Sequence, residues 1–234
     1  MKSTALTFLV MLTALAPMAF GAAFDNLDFE KADPALLEQD HGSFGTIGPV
    51  ESRIPGWSFW LGTAKQSVVG LNRSTVGGPL TSLHDRRSFG ASFNRFPGPP
   101  VTGNFGFLLK TQIPDLQKLP SLRQSGIIPS GSLSIQLTVF GDSVKVFIND
   151  VNIPLKYQLV DIPDTPKPFQ PITIASGNIA SFANKEVRLR IEPDTTRSVR
   201  TFAGIDDIKF SKDTMDETAI AADQTDPIIL RRLK

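Results

Sequence analysis

The 234-residue chain contains no cysteine. That single absence removes disulfide cross-links, thiolate metal sites and a thiol nucleophile. Histidine is almost as scarce. His41 and His84 stand far apart in the sequence, without the spacing of a metal site. His84 has Asp85 as its chain neighbour, but neighbours on a loop do not build a triad, and no serine lies in a nucleophile elbow. Charge of one sign is missing as well. Lys and Arg number 24 against 23 Asp and Glu, so bulk electrostatics draws neither nucleic acid nor an anionic membrane. Beyond the N-terminal segment, no apolar run approaches the roughly 20 residues that span a bilayer of about 30 Å. Helical periodicity is nearly absent. Asp33 to Gln39 offers an N-cap followed by Pro34 at the first helical position, and Asn178 to Ala183 offers one turn at most.

What is present begins with residues 1–22. Lys2 gives a positive start, Ala5 to Ala16 is apolar apart from Thr7 and Thr13, and Pro17 precedes the small residues Ala19, Gly21, Ala22 and Ala23. This is the layout of a secretory signal peptide cleaved near residues 21–23, and the apolar run is too short for a membrane anchor. The chain is therefore read as exported, to the extracellular space or the cell surface. An exported chain that manages without disulfides suggests a bacterial product.

The rest carries 18 Gly and 18 Pro, which punctuate it as turns do. Alternation of period two is clear in the second half. Leu133, Ile135, Leu137 and Val139 alternate with Ser134, Gln136 and Thr138. Val144, Val146 and Ile148 repeat the pattern, and Asn149-Asp150 then reads as a tight hairpin turn into Val151 and Ile153. Val187, Leu189 and Ile191 alternate with Arg188, Arg190 and Glu192, and Ile208 and Phe210 close the last strand. In the first half, Phe24 to Phe29 reads as an opening strand. Pro55-Gly56 feeds a short aromatic strand containing Trp57, Phe59 and Trp60. Many short strands between turns predict an all-β antiparallel sandwich. It occupies residues 23–211 as one domain, with residues 212–234 as a flexible C-terminal tail.

The order of landmarks is similar to that of galactose-binding-like jelly rolls, the fold of many carbohydrate-binding modules. Phe29-Glu30 stands early, Pro55-Gly56-Trp57 follows, and Gly204-Ile205-Asp206-Asp207-Ile208 comes at the end. The middle resembles exported bacterial proteins of the PEP-CTERM type, in Gln124 to Gly131, Phe147-Ile148-Asn149, Ile153-Pro154-Leu155 and Gly177-Asn178-Ile179. The chain lacks that group's Pro-Glu-Pro and terminal apolar helix, and ends Leu230-Arg231-Arg232-Leu233-Lys234. The jelly-roll resemblance implies carbohydrate binding. It also implies a structural calcium tying the first strand to the last through Glu30 and Asp206, with Asp28 as a further oxygen donor. The plainer alternative is that Asp206 and Asp207 are turn or edge carboxylates in water.

Among candidate ligand contacts, Trp57 alternates with Phe59 and both are expected in the core. Trp60 has the opposite parity and is the candidate platform for a sugar face. Tyr157 is a further aromatic candidate. Arg188 and Arg190 share the outward face of one strand, where guanidinium forks match carboxylates and sulfates. The ordinary alternative there is a solvated strand face. Arg86, Arg87 and Arg95 form a second basic group, and Asn72-Arg73-Ser74 matches a glycosylation acceptor that is a chance match in a bacterial chain. The reading is an exported, non-catalytic module that binds extracellular carbohydrate through Trp60, Arg188 and Arg190, with calcium in a structural role. The alternative is a structural or interaction protein of the cell surface or matrix with no small-molecule ligand.

Overall fold

Side chains that alternate along many strands can share one dry interior only when two sheets lie face to face. The computed structural model has two such sheets. It describes residues 21–33, 35, 46–72, 81–85, 103–111, 119–159, 172–196 and 201–214. Strands are numbered along the chain. The eight-stranded sheet runs β1 (Thr46–Pro49), β4 (Val68–Leu71), β5 (Ser82–Asp85), β6 (Phe105–Thr111), β14 (Thr201–Ser211), β8 (Ser134–Gly141), β12 (Ile172–Asn178) and β11 (Lys156–Leu159). The six-stranded sheet runs β10 (Val151–Ile153), β9 (Val144–Ile148), β13 (Glu186–Pro193), β7 (Pro120–Ile127), β2 (Ser58–Leu61) and β3 (Ala64–Gln66). The named pairings are antiparallel except β4 with β5. The protein is an antiparallel β-sandwich.

The alternation predicts the interior. Ile135, Leu137 and Val139 of β8 meet Val187, Leu189 and Ile191 of β13 in one buried cluster, joined by Val146, Ile148, Phe107, Leu109 and Ile205. On β13 the intervening Arg188, Arg190 and Glu192 reach the other face. Asn149 and Asp150 both take positive φ, 49° and 64°, which is the backbone a two-residue hairpin of the primed type needs. The Gly141-Asp142 turn does something the local pattern does not reveal. It carries the chain from β8 in one sheet to β9 in the other. Gly141 has φ 85°, and a Cβ there would sit 2.3 Å from the Phe202 carbonyl oxygen.

The eight-stranded sheet is also buried on its other side, where Leu108, Phe140 and Ile172 are 2%, 2% and 5% exposed. Gly204 lies opposite Phe140 across the β14–β8 pair, and the phenyl ring folds over it. A Cβ on residue 204 would stand 1.6 Å from the ring. Because the buried ring has little room to swing away, Gly204→Ala is expected to lose about 3 kcal/mol of stability, as overpacking of a tight site does. A denaturant midpoint equal to wild type would show that the ring yields.

The expected opening strand over Phe24 to Phe29 does not form. Asn26 and Phe29 have φ of 50° and 62°, so the chain coils into a strap instead. Side-chain hydrogen bonds satisfy its backbone in place of a ladder. Gln124 bonds the Asp25 amide and carbonyl, and the Asn26 amide group donates to the Pro55 carbonyl. The Ile208 amide donates to the Leu27 carbonyl. Phe29 is thereby fully buried. The single turn expected near residue 180 is present as a 3-10 helix, Ala180–Phe182. The expected signal peptide (but for residues 21 and 22), most of the Asp33–Gln39 helix and the tail beyond residue 214 lie outside the described residues.

Candidate functional site

The register of the six-stranded sheet decides which polar-face residues become neighbours. Phe147 on β9 pairs with Arg190 on β13. Arg190 pairs with Arg123 on β7, and Arg123 pairs with Ser58 on β2. Trp60 lies one step along β2, opposite Ser121. All of these point away from the core, because Leu122, Leu189, Ile191, Val146 and Phe59 at the alternate positions fill it. Trp60, Arg188 and Arg190, singled out separately from the sequence, therefore share one face.

Two residues that the sequence reading passed over complete it. The Arg123 guanidinium sits 4.4 Å from the centre of the Trp60 ring, and the Arg190 guanidinium sits 3.9 Å from that of Phe147. The four side chains form a row of ring, guanidinium, guanidinium and ring across four strands. Cation–π contact orients each fork. Trp60 is half-buried, and its indole N–H donates to Ser58 Oγ at 3.0 Å. It is not a bare platform, since a guanidinium already lies over its ring. Phe147 falls on the polar parity of its strand, which is a signal an apolar-pattern search discards. Arg123 carries no local signal, and only the register sets it beside Arg190.

The charges on this face are unequally matched. Asp150, in the β9–β10 turn, pairs with Arg188 and lies 3.8 Å from Arg190. Glu192 accepts from Arg190 at 2.6 Å. Arg123 has no carboxylate partner among the described residues. Its Nε donates to Ser121 Oγ at 3.2 Å and its Nη2 to the Gly62 carbonyl at 3.0 Å. Burial lowers the Arg123 pKa, and the neighbouring charges of Arg190 and Arg188 lower it further, with Asp150 and Glu192 opposing. Burial raises the Glu192 pKa, against the pull of Arg190, Lys145 and Arg123. Like charges directly opposite one another on adjacent strands weaken a sheet, so the Arg123–Arg190 pair is held at some expense to the fold.

The residues implicated in calcium binding are otherwise engaged. Both Glu30 carboxylate oxygens face N–H donors. Oε1 accepts from the Asn104 and Phe105 amides at 2.7 Å each, and Oε2 from the Asn104 side chain at 3.2 Å. Asp28 accepts from the Glu30 amide. Asp206 is fully buried, rather than an edge carboxylate in water, and accepts from the Asp207 amide. Among the described residues no three His, Asp or Glu side chains come together in a group that could hold a metal. Donors aimed at Glu30 repel a cation, so this arrangement does not fit calcium at Glu30; the carboxylate ties the strap to the start of β6.

Other candidates have structural places. Trp57 and Phe59 are each 5% exposed, as their parity predicts. Tyr157 links the sheets, its hydroxyl donating to the Val144 carbonyl at 2.8 Å. Asn72 is buried, donating to Asp85 Oδ2 and accepting from the Asp85 amide, each at 2.9 Å, so its side chain is not presented for modification. His41, Arg86, Arg87 and Arg95 lie outside the described residues.

No family model matches the chain, and no curated protein matches it. Among solved structures it is similar to a cyclase from Fischerella sp. TAU, at 12% identity and a TM-score of 0.45, over 80% of this chain and 94% of that one. It is likewise similar to the apo form of a cyclase from Fischerella sp., at 12% identity and a TM-score of 0.43, over 80% and 93% of the two chains. At these values neither likeness bears on what the chain does.

Proposed function

We propose that the chain is an exported, non-catalytic β-sandwich module that binds extracellular carbohydrate on the outer face of its six-stranded sheet. The observation that carries this reading is the row of Trp60, Arg123, Arg190 and Phe147, two aromatic rings and two guanidinium forks side by side across strands that the core holds rigid. Aromatic rings match the apolar C–H faces of sugars, and a few fixed polar groups orient the ligand between them. Strands position such groups more firmly than loops do.

Glycan-array binding by the mature chain, weakened by about 10-fold or more in Trp60→Ala, is the expected result. Trp60→Ala releases Arg123 from its cation–π seat as well as removing the ring, so loss of orientation adds to loss of contact area. Silence across a broad array would move the reading to a surface or matrix interaction protein. In that case the exposed Ile47, Val68, Val151 and Leu159 on β1, β4, β10 and β11 would be the first contacts to examine.

A further inference from the structure

Among the described residues, three guanidinium groups on the outer face, those of Arg123, Arg188 and Arg190, have only Asp150 and Glu192 as ion-pair partners, and the shortfall falls on one residue. Asp150 and Glu192 serve Arg188 and Arg190. Arg123 stands opposite Arg190 in the ladder with only neutral acceptors, Ser121 Oγ and the Gly62 carbonyl. These engage its Nε and Nη2, and no acceptor lies on its Nη1 among the described residues. The Nε of Arg190 is buried without a hydrogen-bond partner among the described residues. The fold thus keeps a guanidinium half-buried, ring-stacked and short of a counter-charge beside a second one. A neutral sugar uses none of that excess charge, whereas an anion relieves the repulsion between the two forks and accepts from the vacant edge.

We propose that the ligand of this face carries an oxyanion seated on Arg123, and that it is an acidic polysaccharide bound through its carboxylates. This rests on the carbohydrate-binding reading above and names its ligand class. A planar carboxylate fits one fork with two parallel N–H···O bonds. Repeated along a uronate chain, such groups can meet Arg123 first and the Arg190 and Arg188 side next. Glu192 competes with the ligand for Arg190, and it sets how much positive charge the face shows.

The test is calorimetric titration of the mature chain with three probes: a galacturonate oligomer, a neutral galactose oligomer of equal length, and a sulfated galactan. The galacturonate oligomer is expected to bind at least ~10-fold tighter than the neutral one, with affinity falling as salt rises. Arg123→Gln is expected to weaken its binding by ~10–100-fold while leaving the thermal midpoint near wild type. Arg123→Lys, which keeps the charge and loses the fork, should fall between. Glu192→Gln should tighten binding a few-fold, a gain that misfolding does not imitate. Tighter binding of the sulfated galactan, lost in Arg123→Gln, would assign the oxyanion to sulfate and keep its seat. Equal affinity for neutral and acidic oligomers, or an Arg123→Gln variant that binds galacturonate as wild type does, overturns the inference and leaves the carbohydrate reading standing. No binding of any of the three probes overturns the inference, and the broad glycan array then decides the carbohydrate reading.

Discussion

Replacing Trp57 by alanine is expected to cost about 4 kcal/mol of stability, within the range for truncating a buried tryptophan. The indole is 5% exposed and stacks on Phe29, centroid to centroid at 5.8 Å, while Phe29 stacks on Phe107 at 5.6 Å. This column joins the N-terminal strap to β6 through the interior. The indole N–H donates to the Asn26 carbonyl at 2.9 Å, and the Asn26 side chain in turn holds the Pro55 carbonyl and the Lys31 amide. Trp57→Ala therefore opens a cavity and takes the indole donor from the Asn26 carbonyl, which keeps only the long bond from the Phe29 amide at 3.3 Å. Trp57→Phe keeps most of the stacking and loses the hydrogen bond, for an expected cost of about 1–2 kcal/mol. Guanidinium denaturation of the two variants checks the pair. Equal midpoints for Trp57→Ala and wild type would mean that the strap contributes nothing to the fold.

The second large effect is acid sensitivity at His84. The imidazole is 6% exposed, and burial pushes its pKa from 6.5 down to about 4, against a smaller upward pull from Asp85. In the folded chain His84 stays neutral until about pH 4, whereas in the unfolded chain it takes up a proton near 6.5. Between those values the unfolded state binds more protons, so stability falls as pH falls through that window. The full shift corresponds to about 3 kcal/mol. Carboxylates add their own pH dependence, so the informative quantity is the difference between wild type and His84→Gln. The stability lost between pH 7 and pH 4 should be smaller in the variant by about that amount. Parallel stability–pH curves for the two proteins would show that His84 is not held neutral by its surroundings.

Parity along a strand was legible from the residues because side chains on a pleated backbone alternate, and burial follows hydrophobicity. Ile135, Leu137 and Val139, then Val187, Leu189 and Ile191, face inward as their spacing requires. The same parity separated Trp57 and Phe59 from Trp60, and put Arg188 and Arg190 outside. The strap is the exception, because its residues read as a strand and do not form one. Nothing in Phe24 to Phe29 announces that Asn26 and Phe29 will take left-handed backbone, and the hydrogen bonds that stabilise it come from Gln124 and Pro55, far along the chain. Glu30 and Asp206 looked alike as carboxylates. Their difference lies in partners, since one caps the Asn104 and Phe105 amides and the other is enclosed in the sheet.

What the sequence by itself determined is the class of architecture, two antiparallel sheets over a cysteine-free core, together with the outward direction of Trp60, Arg188 and Arg190. These follow from local alternation, which depends only on neighbours two residues apart. What only the tertiary structure decided is who stands beside whom. Arg123 lies more than sixty positions from both Trp60 and Arg190 in the chain, yet strand order and register set it between them. Register is fixed by how whole strands fit the shared interior. The row of rings and guanidinium groups is therefore a property of the packed sheets and of no segment taken alone.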